Sequence, residues 1–525
     1  MVIELPSAQD VVVRNLLERN AAKRPDDTMA RFQDGSSWTR RQALEAAYAA
    51  GHELRRAGIN PGDAVAIFLP NGADFLRAWW GVCSIGAVIV PVNLAYRGAI
   101  LEHLFRTGDC RAVVVDGRYA ERIDELDDPG CRGIQRIDPA ALHGGDHSPP
   151  ELERAIQPWD IHLLSMTSGT TGPSKVSRTT YWHTCLGQNY MTQWGFGRDD
   201  VYLIDLPLFH AGGMYSVMVT LAMDANFVVR DFPALSTYWE TARDLGVTTA
   251  VLVSSMITYL MGQPARGGER DHPLRRILSI PMPGDPGAFM RRFGITAMAT
   301  GYGSTEVPAC IVGQPGDVAV PGSCGRVRDG FQVRLVDEHD IEVPVGSVGE
   351  AIVRTEQPWM ISQGYQNNAE ATVEAWRNGW FHSGDLLRRD VDGNHFFVDR
   401  GKDSLRRRGE NVSTFEVEAE VSRFPGVAEA ACVAARRAGQ LDDEVKVWLV
   451  PEPGAELDPV ALLRFCASRM PHFMVPRFIE IVDQLPKTPT AKVQKFLLRE
   501  RGNSGCTWDR EAHGFRLTRD GLTEL

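Results

Sequence analysis

Thr167-Ser168-Gly169-Thr170-Thr171-Gly172-Pro173-Ser174-Lys175 follows an apolar, strand-like run at 161–166. Two glycines let the backbone approach a ligand closely. Hydroxyls and exposed amides can meet phosphate oxygens, and Lys175 adds a compact positive charge. The stretch is not a Walker A loop. Its lysine follows Ser174 instead of a glycine, and Val176 stands where a Ser or Thr would be needed. By composition alone it also reads as a Ser/Thr/Gly linker, so the neighbouring segments decide.

Outward from this loop the chain alternates. Residues 39–57 are amphipathic, and Gly58 is a natural helix stop. An apolar run at 64–69, a Pro-Asn turn, a helical stretch at 73–84 and a second run at 87–92 follow. Apolar runs of this length, split by helices, predict βαβ units with strands buried on both faces. The pattern recurs at 201–206, 227–230, 248–253, 277–280 and 295–300. The fold class expected is α/β, a large body with mostly parallel sheets. Beyond about residue 320, glycines and prolines cluster and short strands at 332–336, 349–353 and 395–398 suggest a β-rich subdomain. From 404 a compact α+β module is expected, with helices at 414–423, 459–470 and 493–501 and strands at 429–434, 444–450 and 477–482. Residues 502–525 form a polar tail with no assigned structure.

A chain of 525 residues gives a prior of about three structural units and needs no disulfide staples. The formal net charge of -11 argues against a nucleic-acid partner. Arg406-Arg407-Arg408 reads as a solvated face. Nine cysteines, an odd number without a CxxC pair, predict reduced thiols in a cytoplasmic protein and nothing like a zinc site. No signal peptide, no membrane span and no peroxisomal address is expected from the termini and the hydropathy.

Four further segments carry chemistry. Gly301-Tyr302-Gly303-Ser304-Thr305-Glu306 follows a strand, where open α/β sheets bind ligands. An aromatic there can stack on a purine, a hydroxyl can meet a phosphate and a carboxylate can hold Mg²⁺. Gly379-Trp380-Phe381-His382-Ser383-Gly384-Asp385 ends in a carboxylate suited to two ribose hydroxyls. Asp399-Arg400-Gly401-Lys402-Asp403 precedes the basic run and Gly409-Glu410-Asn411. Leu485-Pro486-Lys487-Thr488-Pro489-Thr490-Ala491-Lys492-Val493-Gln494-Lys495 lies near the end, where lone lysines are usually solvated.

All five elements, in this order, resemble the ANL superfamily of adenylate-forming enzymes, which holds acyl-CoA synthetases, peptide-synthetase adenylation domains and luciferases. The resemblance runs from about residue 10 to 500. It implies an AMP-binding N-terminal domain at 1–401 and a small mobile domain at 402–501, leaving the tail 502–525. It implies ATP, Mg²⁺ and coenzyme A as the small molecules used. By this resemblance Thr167, Ser168, Gly169, Thr170, Thr171, Gly172 and Lys175 grip the β- and γ-phosphates, Tyr302 flanks adenine, and Gly301, also in the nucleotide site, leaves room with Gly303 near the reacting carbon. Thr305 meets the α-phosphate, Glu306 holds Mg²⁺, and Asp385 and Arg400 meet the ribose. Lys402 is the hinge, Lys492 bridges carboxylate and α-phosphate, and Gly409 lines the pantetheine tunnel. The pattern departs from the family at Val176 and Ala491, where glycines are usual, and at Ser279–Gly284.

Pro207-Leu208-Phe209-His210 resembles the segment whose His210 sits beside the acyl carboxylate, although a core histidine reads the same way. Met256, Tyr259 and Pro308 are candidate pocket walls or plain core. Segments at 86–93, 470–476 and 492–495 are similar to the carnitine/crotonobetaine–CoA ligase-like branch, without fixing the acid. The expected reaction is acyl-adenylate formation followed by thioester formation with coenzyme A. A carrier-protein thiol is the alternative acceptor, and a homodimer is an open possibility.

Overall fold

The computed structural model describes the chain except residues 1–4, 168–173, 186, 232–234, 281, 314–319, 401–403, 408–409, 436–442, 488–492, 519–520 and 525. Ser168, Gly169, Thr170, Thr171, Gly172, Lys402, Gly409, Ala491, Lys492 and the side chain of Arg400 therefore lie outside what is described.

The apolar runs become strands because helices cover both of their faces. Ala64–Phe68 is buried at every position. It lies at the centre of a six-stranded sheet with Gln135–Ile137, Cys110–Val115, Val88–Pro91, Ile161–Thr167 and Lys175–Thr180. All neighbours run parallel except the last pair, which is antiparallel. Helix Arg40–Arg56 starts at a capping box, Thr39 with Gln42, and the chain leaves it at Gly58 with φ +83°.

A second sheet of seven strands has Val201–Ile204 at its middle, between Thr249–Val253 and Asn226–Val229. It too is parallel but for one edge pair. A third, antiparallel sheet of seven strands carries Gly301–Tyr302 at one edge and Phe381–Arg389 and His395–Arg400 inside it. The expected α/β body with a β-rich part is thus what the chain forms.

Beyond it stands a small α+β unit. Hairpin Ser404–Arg407/Glu410–Ser413 leads into helix Thr414–Val421 and a sheet of Val427–Ala435, Glu444–Pro451 and Phe478–Ile481. Residues 502–525 are not a loose tail. Trp508–Asp509 adds an edge strand to that sheet, and Phe515–Thr518 pairs with Gly521–Glu524. Charges hold the addition in place. Arg477 pairs with Asp509 (3.2 Å), Glu511 (2.6 Å) and Glu444 (3.3 Å), and Glu444 also meets Arg407 at 2.9 Å. Lys446, only 1 % exposed, donates to Glu480 (2.6 Å), Thr507 (3.2 Å) and the Gly502 carbonyl (2.6 Å).

Val176, the departure from the phosphate-loop pattern, is fully buried in strand Lys175–Thr180 among Val88, Val90 and Leu164. The strand begins at Lys175, so position 176 needs a β-branched core side chain, not loop freedom.

A buried ammonium without its anion is costly. Glu480→Ala is expected to lower the small unit's unfolding free energy by about 3–5 kcal/mol, read by denaturant titration. A change below about 1 kcal/mol would contradict the pairing.

Candidate active site

Parallel strands point their carboxyl ends to one side, and ligands of open α/β sheets gather there. Thr167 ends one such strand, His210 follows Val201–Ile204, and Gly301–Tyr302 follows Ala297–Ala299. Within the seven-stranded parallel sheet, topology draws the His210 and Gly301–Tyr302 motifs to the same face, while Thr167 ends a strand of the six-stranded sheet.

Tyr302 and Asp385 meet directly, the tyrosine hydroxyl donating to Oδ2 at 2.8 Å. Asp385 is 7 % exposed, and its backbone pairs with that of Arg400 across two strands. Burial, then the Asp385 charge, pushes the Tyr302 phenol well above its usual value. Gly303 is fixed by its own turn. A Cβ there would stand 2.8 Å from the Val307 carbonyl and 2.9 Å from the Ala309 nitrogen. Close packing of this turn, more than room for substrate, requires the glycine. Gly301 is buried and pairs with Val312, and Thr305 is half-buried in the turn.

Glu306 is buried at 7 % exposure, with both oxygens engaged. Tyr365 donates to Oε1 at 2.9 Å and Ser304 to Oε2 at 3.0 Å. The Tyr365 ring also lies 5.1 Å from the Lys175 ammonium, a cation–π distance. Tyr365 thus ties Lys175 to the Glu306 carboxylate. It sits in Ser362-Gln363-Gly364-Tyr365, which pairs alongside Lys175–Thr180 through Arg178 N to the Gly364 carbonyl at 3.0 Å. No local signal marks this tyrosine, because its role arises from pairing across the sequence. Among the described residues no group of three His, Cys, Asp or Glu could hold a metal. A single carboxylate that shares Mg²⁺ with substrate phosphates is the usual arrangement, and Glu306 fits it.

His210 stands at the N-terminus of helix Ala211–Ala222 with its side chain 41 % exposed, so it is not a core histidine. Its Nε2 lies 2.9 Å from Glu410 Oε2, on the small unit's hairpin. Asn93 Nδ2 donates to the same oxygen at 3.3 Å. Burial alone would raise the Glu410 carboxyl, but His210, Asn93 and His472 together hold it below the ordinary glutamate value. Six residues on, Glu416 Oε1 accepts the Ser174 amide at 2.9 Å. Burial pushes that carboxyl up, against the Ser174 hydrogen bond and nearby His103. Ala95, Tyr96 and Ile100 of the large body pack on the small unit's core, completing the contact. Met256 is 1 % exposed among Leu203, Tyr238 and Leu260, a core residue and not a pocket wall. Tyr259 is exposed on its helix, and Pro308 is buried in the turn.

Residues 17–366 match the AMP-binding enzyme family, and residues 416–492 match the AMP-binding enzyme C-terminal domain. A crotonobetaine/carnitine–CoA ligase of Salmonella paratyphi B is 29 % identical over 460 residues, covering 83 % of this chain and 88 % of the relative. A double mutant of o-succinylbenzoate CoA synthetase from Bacillus subtilis, bound to its product analogue OSB-NCoA, superposes with a TM-score of 0.82 at 23 % identity, covering 93 % of this chain and 98 % of its own. The B. subtilis enzyme in complex with AMP gives 0.66 at 23 % identity, covering 94 % and 98 %.

The lowered Glu410 carboxyl sets a sign. Its contribution to the contact between the two units is present above the ordinary glutamate range and is lost as pH falls through its lowered value. Interdomain proximity measured by fluorescence transfer should fall on acidification in the native chain. Glu410→Gln should show a weaker pH dependence, and identical profiles would refute the assignment.

Proposed function

The chain belongs to the AMP-binding enzyme family, and on that footing we propose that it activates a carboxylic acid with ATP and passes the acyl group to coenzyme A. In the first step a carboxylate oxygen attacks the α-phosphorus and pyrophosphate leaves. In the second the thiolate attacks the acyl carbon, the bond to the phosphate oxygen breaks and AMP leaves.

The first step brings two anions together, so it needs a cation between them. Lys492 is assigned that place, a preorganised charge of the kind worth about 2.7–4 kcal/mol in a transition state. Lys175 and the loop before it hold the leaving phosphates. Thr305 meets the α-phosphate, and Tyr302, Asp385 and Arg400 receive the nucleoside. Glu306 would hold Mg²⁺, which when bound neutralises phosphate charge.

The single observation that carries the second step is the 2.9 Å contact between His210 and Glu410. It sets the small unit's hairpin against the histidine assigned to the acyl carboxylate. The better superposition on the product-analogue complex than on the AMP complex of the B. subtilis enzyme supports reading this arrangement as the thioester-forming one. Rotation at Lys402 would exchange Lys492 for the hairpin, one site serving two steps in turn. The crotonobetaine/carnitine–CoA ligase relative supports coenzyme A as acceptor.

Two measurements test this. Pyrophosphate release across a panel of carboxylic acids, with and without coenzyme A, should show acid-dependent release and thioester only with coenzyme A. Adenylate that accumulates without thioester would favour a carrier-protein acceptor. In separated half-reactions, Lys492→Ala should cut adenylate formation by about 100-fold or more and spare thioester formation from preformed adenylate. Glu410→Ala should do the reverse, slowing thioester formation about tenfold. Equal losses in both steps for either variant would contradict the division of labour.

A further inference from the structure

Ser383-Gly384-Asp385 breaks the register of the third sheet. His382 faces Ile352 and Leu386 faces Glu350, so three residues stand opposite one, Ala351. A bulge of this kind re-aims a side chain and leaves backbone groups without ladder partners. Here side chains supply the partners. Gly384 is buried and turns through φ +73°, a conformation that favours glycine. Its amide donates to Glu350 Oε1 at 2.9 Å. The Asp385 amide donates to Ser383 Oγ at 3.1 Å, and that hydroxyl donates to the Ala351 carbonyl at 2.6 Å.

Glu350 is itself held in place. Its Oε2 lies 3.3 Å from His382 Nδ1 and 3.5 Å from Arg377 Nη2, and the His382 side chain is 1 % exposed. Arg377 also reaches Asp340 at 3.3 Å. The carboxylate thus clamps the glycine from a fixed point, while the next residue, Asp385, meets the Tyr302 hydroxyl at 2.8 Å. A hydrogen bond to an ionised acceptor is of the stronger kind, and its loss would leave a buried N–H unpaired. We propose that Glu350 is a positioning residue for the nucleotide. By holding the Gly384 amide it sets the bulge that presents Asp385 to the two ribose hydroxyls. This rests on the assignment of Asp385 to the ribose. It adds what fixes the aim of that carboxylate, a side chain 34 residues before Gly384 on the neighbouring strand.

The test titrates AMP and 2′,3′-dideoxy-AMP into the full-length chain by calorimetry, so the acid need not be identified. The native chain should prefer AMP about tenfold or more, the scale of a hydrogen bond to a charged group. Glu350→Ala and Glu350→Met should cut that preference to about threefold or less, by weakening AMP and sparing the dideoxy compound. A merely structural role would weaken both ligands alike and leave the preference intact. The methionine variant keeps the volume without the acceptor, so it reports even where the alanine variant misfolds. Glu350→Gln should retain most of the preference, because its amide oxygen can still accept the Gly384 N–H. Asp385→Ala serves as the reference and should abolish the preference. If it does so while Glu350→Ala and Glu350→Met keep the native preference, the positioning proposal fails and the ribose assignment stands. If Asp385→Ala keeps the native preference, the ribose assignment fails and takes the proposal with it.

Discussion

Two carboxylates six residues apart, Glu410 and Glu416, fix how the small domain meets the large one. One reaches His210 and the other the Ser174 amide. Each is a charged acceptor taken partly out of water, and each costs free energy unless a donor on the opposite domain meets it. Their burial pulls both carboxyls upward. Only Glu410, with His210, Asn93 and His472 around it, ends below its ordinary value. The docked arrangement therefore depends on donors in the large body being presented at two separated points.

The rest of the molecule supplies those points. One parallel sheet presents Thr167 at a strand's carboxyl end, and the other presents His210 in the same way. The third sheet adds Asp385 beneath Tyr302, and Tyr365 joins Lys175 to Glu306. On the other side, the hairpin bearing Glu410 is anchored through Arg407 and Glu444 to Arg477, and from there to Asp509 and Glu511. The terminal segment thus contributes charge to the element that carries the docking carboxylate.

Much of this was legible in the sequence, for identifiable reasons. Buried parallel strands show as continuous apolar runs, so Ala64–Phe68 and Val201–Ile204 are visible without a structure. The motifs at Tyr302, Glu306 and Asp385 are local; Tyr302 ends its strand and Glu306 follows it, whereas Asp385 lies inside Phe381–Arg389. Contacts between distant segments were not legible. His210 and Glu410 are 200 residues apart, and Ser174 and Glu416 are 242 apart. Glu410 lay inside a quoted motif without a role, since its partner belongs to the other domain. Val176 read as a departure in a loop because the strand's first residue, Lys175, is marked by no turn signal. Residues 502–525 read as a tail because an edge strand of two residues is too short to show a period.

The central claim is that one site serves two steps through two placements of the small domain. A distance between spin labels at Glu121, exposed on helix Gly117–Asp124, and Ala461, exposed on helix Pro459–Arg469, tests it most directly. With coenzyme A and a non-hydrolysable acyl-adenylate mimic, the distance should match this structure. With a non-hydrolysable ATP analogue, a second distance should dominate. A single distance unchanged between the two conditions would contradict the account.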